Sequence, residues 1–301
     1  MHLQKSGILF CSLKAKTFDY LKSFPELKKL YEYCQEAEDF VVSKPNISST
    51  SARKAMEYIV KSIYISLIGQ DYGFNTFEMI TDVRFTDYIN DASFINSVHY
   101  IRKMGNIAAH QGDIRKEEAM GVLDELHYVV GEFCVLLGLV DSYPAFKEPE
   151  RTNAVQKEAQ PEEKKVSVST EVVARLSQRM REVTFDVTYK RDEQENKKLY
   201  MSACLREAGW AIVTHQNQAM PCCAGINMVL DSGDSVDYIL YGRDNKPLAI
   251  IEYTATNQNL IEGRTKGIEK ANQLALKLGY KPIVYYTNGY YIFIIDQLGY
   301  S

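Results

Sequence analysis

The chain has 301 residues, of which 46% are hydrophobic and 25% are charged, which is an ordinary composition for a globular protein. No apolar run reaches the roughly 18 residues that a membrane-spanning helix needs, so we expect no membrane partner and a cytoplasmic location. The formal net charge of −4 argues against nucleic-acid binding by bulk electrostatic attraction and requires any such site to be local.

Apolar residues at helical spacing dominate the chain from residue 17 to about residue 140. The last helix of this region is predicted in KEEAMGVLDELHYVVGEFCVLLGL. Its apolar residues recur every three or four positions at Met120, Leu123, Leu126, Val130, Phe133 and Leu137. Such a stripe needs partner helices, so residues 1–141 are predicted to form a small helical bundle.

The composition changes after the bundle. Residues 142–168 contain three prolines, many charges and few large apolar residues, which predicts a linker. The first part of 169–301 is ambiguous, with a helix suggested by TEVVARLSQRMREV and a short strand by TFDVTYK. A helix, four strands, a second helix and two further strands follow. Residues 169–301 are therefore predicted to form an α/β or α+β domain with a mixed sheet.

Two carboxylates are predicted to face each other across a hairpin in VDYILYGRDNKPLAIIEYT. If the turn is symmetric about Asp244 and Asn245, paired residue numbers sum to 489, and Asp237 lies opposite Glu252. Thr254 then shares the face of Glu252, because side chains alternate along a strand. Facing like charges are destabilising, and a cation that prefers oxygen ligands, such as Mg²⁺, removes that penalty.

The same pair has an alternative interpretation without a metal. Asp237 can lie in water at a strand end, and Glu252 can pair with a lysine. A D…E pair is a weak motif by itself, so both interpretations stay open on spacing alone.

Three segments stand out in the second half: LYMSACLREAGW with Glu195 ahead of it, GDSVDYILYGRDNKPLAIIE, and PIVYYTNGYYIFIID. Together they resemble the N-terminal endonuclease region of the motor (R) subunit of type I restriction enzymes. GDSVDYILYGRDNKPLAIIE is similar to the family's ADYVLYG strand, R-x-G-K-P turn and LAVIEAK strand. Glu195, ahead of LYMSACLREAGW, resembles the acidic residue that precedes LREAGW in the family. PIVYYTNGYYIFIID resembles P-x-I-F-Y-T-N-G and the aromatic strand after it. The resemblance covers about residues 192–300.

This resemblance implies a PD-(D/E)XK nuclease fold that cleaves DNA in restriction–modification and phage defence. The matching carboxylates, here Asp237 and Glu252, bind Mg²⁺ in that family, and the acid matching Glu195 supports the metal site. Restriction–modification partner subunits are expected as well. No G-x-x-x-x-G-K-[ST] loop occurs, so no ATP site is expected within these residues.

The family's E-x-K pattern is broken here, because the sequence reads Glu252-Tyr253-Thr254. One hypothesis is that Lys266 supplies the missing catalytic cation from the following helix. The helical wheel opposes it, since Lys266, Lys270 and Lys277 fall opposite the apolar side formed by Ile268, Ala271, Leu274, Ala275 and Leu278.

Charges opposite an apolar stripe usually form a solvated face, where they are free to bind an external anion. Arg264, Lys266 and Lys270 can contact DNA phosphates, which needs less exact placement than catalysis. A non-catalytic DNA-binding or assembly module is the resulting alternative function.

The segment RKMGNIAAHQGD resembles the R-x-x-G-N-x-A-A-H signature of helical HEPN-like domains. Active HEPN ribonucleases use Arg-Asn-x-x-x-His, and Asn106 and His110 fit that spacing. Gly105 occupies the arginine position, with Arg102 one turn away. Hydrogen bonding of Asn106 and His110 inside the bundle is the structural alternative. The resemblance also implies a homodimer through the helical domain and, as a weaker alternative, metal-independent RNA cleavage.

Overall fold

The computed structural model describes residues 16–110, 114–149, 166–214, 221–254, 260–287 and 292–295, without the side chains of 193–197 and 260. These ranges form a helical part and a part built on a six-stranded mixed sheet. The predicted combination of a helical bundle with an α+β domain is therefore confirmed at this level. Within the described ranges, no helix has the length and apolar character needed to cross a membrane.

Seven α-helices make up the helical part that the structure describes, after two short 3-10 helices at Asp19–Ser23 and Pro25–Leu27. They are α1 (Lys28–Phe40), α2 (Pro45–Ile68), α3 (Thr76–Thr81), α4 (Val83–Ile89), α5 (Ala92–His110), α6 (Lys116–Leu136) and α7 (Thr170–Arg179). Helix α2 begins at Pro45, whose fixed φ suits a first turn. It ends before Gly69, which adopts a φ of 94° that favours glycine.

Helix α2 lies at the centre of the helical part and packs against α1, α5, α6 and α7. Its inward side chains join one core with large, fully buried aromatic residues at Tyr58, Tyr64, Phe94, Tyr128 and Phe133. Full burial of one such side chain stabilises a fold by about 1.5–3 kcal/mol. The stripe predicted in α6 provides one wall of this core.

The helical core extends past the predicted boundary at residue 169. Val172 and Leu176 of α7 are fully buried in it. Tyr143, inside the predicted linker, is also buried, and its hydroxyl donates a hydrogen bond to Glu132 Oε1 at 2.7 Å. Both ends of the predicted linker are therefore attached to the helical part, whereas residues 150–165 lie outside the described residues.

The strand predicted in TFDVTYK is wrong. Residues 184–190 have no strand partner in the described structure. The buried carboxylate of Glu132 accepts hydrogen bonds from the backbone N–H groups of Thr188 (2.8 Å) and Tyr189 (3.1 Å) instead. Val187 is buried in the helical core at the same place. A side chain from α6 thus satisfies backbone donors that a neighbouring strand would otherwise have to bind.

The second part begins with α8 (Glu193–Glu207) and continues through six strands with one helix between them. The elements are β1 (Ala211–Val213), β2 (Cys223–Val229), β3 (Ser235–Tyr241), β4 (Pro247–Tyr253), α9 (Leu260–Leu278), β5 (Ile283–Thr287) and β6 (Ile292–Ile295). The strands lie in sequence order across the sheet. Strand β3 is antiparallel to both of its neighbours, β2 and β4. Strand β1 runs parallel to β2, β5 runs parallel to β4, and β6 is antiparallel to β5.

One helix covers each face of the sheet. On one face, Met201 and Leu205 of α8 pack against Tyr238, Leu240 and Ile251. On the other face, α9 contacts β4 and β5, and its Ala271 shares a core with residues of the sheet that include Ile250 and Val284. Glu252 lies two residues after Ile250 on β4, so its side chain points to the α9 face.

Candidate metal centre

The β3–β4 hairpin has the register predicted from its turn. The observed pairs are Tyr238–Ile251, Ile239–Ile250 and Leu240–Ala249, and a bulge lies only beyond them, near Tyr241. Continuing the same register by one residue places Asp237 opposite Glu252. The two carboxylates therefore share one face of the sheet, the face that α9 covers.

One oxygen of each carboxylate accepts a hydrogen bond. Asp237 Oδ2 accepts a hydrogen bond from the backbone N–H of Tyr253 at 2.8 Å. Glu252 Oε2 lies 2.6 Å from Lys270 Nζ, whereas the buried Glu252 Oε1 has no hydrogen-bond partner among the described residues. A buried polar atom without a partner is rare in folded proteins and indicates a missing ligand or water.

The environment of Glu252 disfavours its charged form. Burial raises the pKa of its carboxyl group above the usual value, and the nearby charge of Asp237 raises it further. The hydrogen bond and charge of Lys270 oppose this rise, with a smaller contribution from the backbone N–H of Asp237. One ammonium group therefore offsets the charge of two facing carboxylates only in part.

The placement of Lys270 corrects the sequence prediction, which put it on a solvated face of α9. Its side chain is only 16% exposed and pairs with Glu252, whose side chain is 4% exposed. The helical wheel misplaced the packing face because it counted apolar side chains and left out the glycines. At ~100° per residue, Lys270 lies within about 20° of Gly263, and Gly263 belongs to the face that touches the sheet.

Two glycines allow α9 to approach the sheet closely. A Cβ atom on Gly263 would lie 2.8 Å from Thr254 Cγ2, and one on Gly267 would lie 2.6 Å from Val284 Cγ1 and 3.5 Å from Glu252 Cγ. The distances to Thr254 and Val284 are shorter than real Cβ contacts, whereas the distance to Glu252 is an ordinary contact, so larger residues at the two glycines would push the helix outward. The glycines thus keep α9 close enough to the sheet for Lys270 to reach Glu252.

Thr254 lies where the E-x-K pattern of the resembled family has its lysine, and its side chain is used for packing. Its side chain is buried against Gly263. Its backbone N–H donates to the carbonyl of Thr287 at 2.8 Å, and its hydroxyl donates to the same carbonyl at 3.3 Å. These contacts join the end of β4 to β5 and leave a longer side chain no room beneath α9.

The other candidate residues of the nuclease-type site are placed differently. Arg264 and Lys266 are exposed on α9, so the ammonium group that reaches Glu252 is that of Lys270. Glu195 lies within α8, but its side chain is outside the described residues. Among the side chains that are described, no third Asp, Glu, His or Cys joins Asp237 and Glu252 in a metal-sized group.

A hydrogen-bonded turn at the β2–β3 connection holds the same side of α9. Gln273 Nε2 donates to Asp234 Oδ2 at 2.9 Å, and Ser232 Oγ donates to Gln273 Oε1 at 2.7 Å. Gln273 lies one turn after Lys270, so the turn and the carboxylate centre contact adjacent positions of one helix. This contact leaves no signal in the local sequence, because its polar residues lie 39 and 41 positions apart.

The HEPN-like motif lies where α5 packs against α8. The carboxylate of Glu207, at the end of α8, pairs with Lys103 and accepts a hydrogen bond from Asn106. The guanidinium group of Arg102 lies 5.1 Å from the ring centroid of Phe77. His110 is exposed at the end of α5, next to residues 111–113, which lie outside the described residues, so a capping or hydrogen-bonding part for His110 stays a prediction.

Comparison with known proteins returned no match: no family model, curated protein sequence or solved structure is significantly similar to this chain. Function is therefore inferred from the geometry of the centre and from the sequence motifs that form it.

Proposed function

We propose that the sheet-containing part is a nuclease-type domain of the PD-(D/E)XK kind, resembling the type I restriction R subunit. It hydrolyses DNA phosphodiesters with Mg²⁺ in restriction and phage defence. The observation that carries the proposal is the opposition of Asp237 and Glu252 on one sheet face, with the buried Glu252 Oε1 left without a partner. The mixed sheet between two helices supports the same interpretation.

The residues present fit a hard divalent cation. Carboxylate oxygens are the ligands that Mg²⁺ prefers, and it is commonly bound by one or two of them with water completing the shell. Asp237 and Glu252 each have one oxygen not engaged by the hydrogen bonds described above. Two facing acids with one ammonium group between them also leave negative charge that a divalent cation would neutralise.

The chain's own residues have distinct parts in the proposed chemistry. When bound, Mg²⁺ supplies Lewis-acid chemistry, which lowers the pKa of a bound water and polarises a phosphate. Asp237 and Glu252 would hold the ion, and the hydrogen bond from the Tyr253 N–H orients Asp237 for this purpose. Arg264 and Lys266, exposed on α9, would contact DNA phosphates.

The test uses the full chain with Asp237→Asn and Glu252→Gln. Each variant is expected to lose Mg²⁺-dependent cutting of supercoiled plasmid and to bind Mn²⁺ at least tenfold more weakly in calorimetry. Asp244→Asn is the matched control, because Asp244 is an exposed acid in the turn of the same hairpin. Equal cutting by the wild type, Asp237→Asn and Glu252→Gln would contradict the proposal.

A non-catalytic module is the second candidate, and a specific observation favours it. Glu252 already pairs with Lys270, as the interpretation without a metal predicted, and Thr254 carries no charge. The domain would then bind DNA without cutting it, and the helical part would contact restriction–modification partner subunits or a second copy. DNA binding that is unchanged by EDTA, with no cutting in Mg²⁺ or Mn²⁺, would favour this candidate.

A further inference from the structure

We infer that the ammonium group of Lys270 supplies the positive charge that catalysis needs at the Asp237–Glu252 centre. It comes from helix α9 and takes the place of a lysine at residue 254. The inference rests on the proposed function and reassigns a role that the sequence analysis offered to Lys266. It is carried by the contact of Lys270 with Glu252, by the packing of Thr254 and by the attachment of α9 to the sheet.

The first step is the position of the ammonium group. Lys270 Nζ lies 2.6 Å from Glu252 Oε2, and the Lys270 side chain is mostly withdrawn from water. By contrast Lys277, two turns later on the same helix, pairs with Asp231 in an exposed ion pair. Exposed pairs of this kind contribute little, whereas a desolvated charge acts strongly on neighbouring groups. Lys270 is therefore the α9 lysine placed to act on the centre.

The second step is that residue 254 has no space for a cation. Thr254 is buried against Gly263, and its hydroxyl and N–H both donate to Thr287. A lysine at this position would have to displace α9. Lys270 is on α9 as well. The close packing of α9 against Thr254 is therefore what allows the Lys270 ammonium group to reach Glu252.

The third step is that α9 is held in place on both sides of Lys270. Gly267 allows contact with β5 on one side, and Gln273 is hydrogen-bonded to Asp234 on the other. A lysine has many rotamers, and fixing its helix removes much of the freedom that would weaken its effect. The structure thus pre-organises the cation beside Glu252.

The role that follows is electrostatic. The open oxygen Oε1 and the oxygen paired with Lys270 belong to the same carboxylate, so the ammonium group and any ligand at Oε1 share one site. A fixed cation there stabilises the negative charge that builds up on a phosphate during hydrolysis. Loss of one such pre-organised group typically slows an enzyme by about 10²–10³-fold.

The experiment compares full-length wild type with Lys270→Gln, Lys270→Arg and Thr254→Lys. Single-turnover plasmid cleavage at saturating DNA reports the chemical step, calorimetry with Mn²⁺ alone reports the metal, and fluorescence anisotropy with labelled DNA reports binding. Lys277→Gln is the matched control, because it removes an exposed lysine from the same helix. Circular dichroism and thermal melting show whether each variant folds.

The expected result for Lys270→Gln is a loss of cleavage rate of about 10²-fold, with Mn²⁺ and DNA affinities within about threefold of the wild type. Lys270→Arg is expected to recover at least tenfold of that loss. A Lys270→Gln protein that keeps its fold and its Mn²⁺ and DNA affinities but cleaves slowly separates this role from a purely structural one. Thr254→Lys in the Lys270→Gln background is expected to recover nothing. If Lys270→Gln unfolds, Lys270→Met takes its place, because it keeps most of the apolar stem without the charge, and cleavage by folded Lys270→Met at the wild-type rate would overturn the inference.

Different failures point to different errors. A wild type that cuts DNA and a folded Lys270→Gln that cuts equally fast would overturn the inference while leaving the proposed function intact. Recovery by Thr254→Lys would also overturn it, because it would place the cation site at residue 254. A wild type that neither binds Mn²⁺ nor cuts DNA would overturn both proposals together.

Discussion

Lys270 Nζ and Glu252 Oε2 lie 2.6 Å apart, although their residues belong to a helix and a strand separated by 18 positions in the chain. The pair is mostly buried, and it joins α9 to the strand that carries one of two facing carboxylates. Removal of one partner from a buried ion pair leaves an uncompensated charge, which typically costs about 3–5 kcal/mol. The contact therefore affects both the stability of the sheet and the chemistry proposed for it.

The close approach of α9 gives a first prediction, for Gly267→Ala. Helix propensity alone would make this change stabilising by about 1 kcal/mol. We expect the opposite, a loss of about 1–3 kcal/mol in the free energy of unfolding, because the new Cβ would overpack against Val284. Urea denaturation measures the difference. Leu276→Ala, at a side chain that is 91% exposed, should change stability by less than about 0.5 kcal/mol. A stabilised Gly267→Ala protein would show that the helix lies farther from the sheet.

The hairpin and the helix show what local sequence can and cannot predict. The polar turn fixes the register of its own two strands, so the opposition of Asp237 and Glu252 followed from residue numbers alone. The position of Lys270 depends on which side of α9 meets the sheet. Glycines mark that side through close approach rather than hydrophobicity, and a helical wheel that counts apolar residues ignores them. The Gly263 and Gly267 pair was the signal that would have identified it.

The predicted strand at residues 184–190 failed for a different reason. Alternating residues in TFDVTYK are compatible with a strand, but the partner that binds the backbone is the carboxylate of Glu132, more than 50 positions earlier. A single side chain that satisfies two backbone donors leaves no pattern in the local sequence. Such long-range polar contacts are therefore beyond sequence periodicity.

Glu132 gives a second prediction. Its carboxylate accepts hydrogen bonds from Tyr143, Thr188 and Tyr189, and an amide in its place has only one acceptor oxygen. Glu132→Gln should lower the free energy of unfolding by about 1–3 kcal/mol and speed hydrogen exchange at the amides of Thr188 and Tyr189. Tyr143→Phe, which removes one donor, should leave exchange at those two amides nearly unchanged. Equal exchange in Glu132→Gln and wild type would contradict the observed contact.

The α5–α8 contact gives a third prediction, on the ribonuclease alternative. Asn106 binds Glu207, and Arg102 packs over Phe77, so two residues of the HEPN-like motif are used inside the protein. We expect no cleavage of single-stranded RNA in EDTA by wild type, and no difference for His110→Ala. Gel assays with end-labelled RNA measure this. Cleavage in EDTA that His110→Ala abolishes would instead establish a ribonuclease site on the helical part.

Lys103 and Glu207 provide a fourth prediction, on the link between the two parts. Glu207 lies at the C-terminal end of α8, where the helix dipole disfavours an acid, and Lys103 offsets that charge. Lys103→Met should therefore increase hydrogen exchange in the last turn of α8 and lower the melting temperature by a few degrees. Lys44→Met is a control at an exposed lysine. Unchanged exchange in α8 would show that apolar packing alone holds the two helices together.

A fifth prediction concerns stability in acid and depends on His99. Burial lowers the pKa of this imidazole to about 3, with a smaller effect from the charges of Arg102 and Lys103. The unfolded chain binds a proton near pH 6.5, whereas the folded chain does not until about pH 3. Between these values the unfolded state holds more protons, so this contribution to stability is complete above about pH 6.5 and is lost as the pH falls.

The measurement is the free energy of unfolding of wild type and His99→Gln from pH 7 to pH 4. Glutamine is neutral throughout, so the difference between the two proteins isolates one titrating group from the many carboxylates. Wild type should lose up to about 1.4 kcal/mol more per pH unit than His99→Gln in the steep part of this range. His127, whose pKa burial lowers to about 4, should give a similar but narrower effect in His127→Gln. The ring centroids of His99 and Tyr200 lie 5.5 Å apart, which indicates that α8 covers the imidazole. Parallel curves for wild type and His99→Gln would contradict this, because they would mean that the imidazole takes up protons in the folded state.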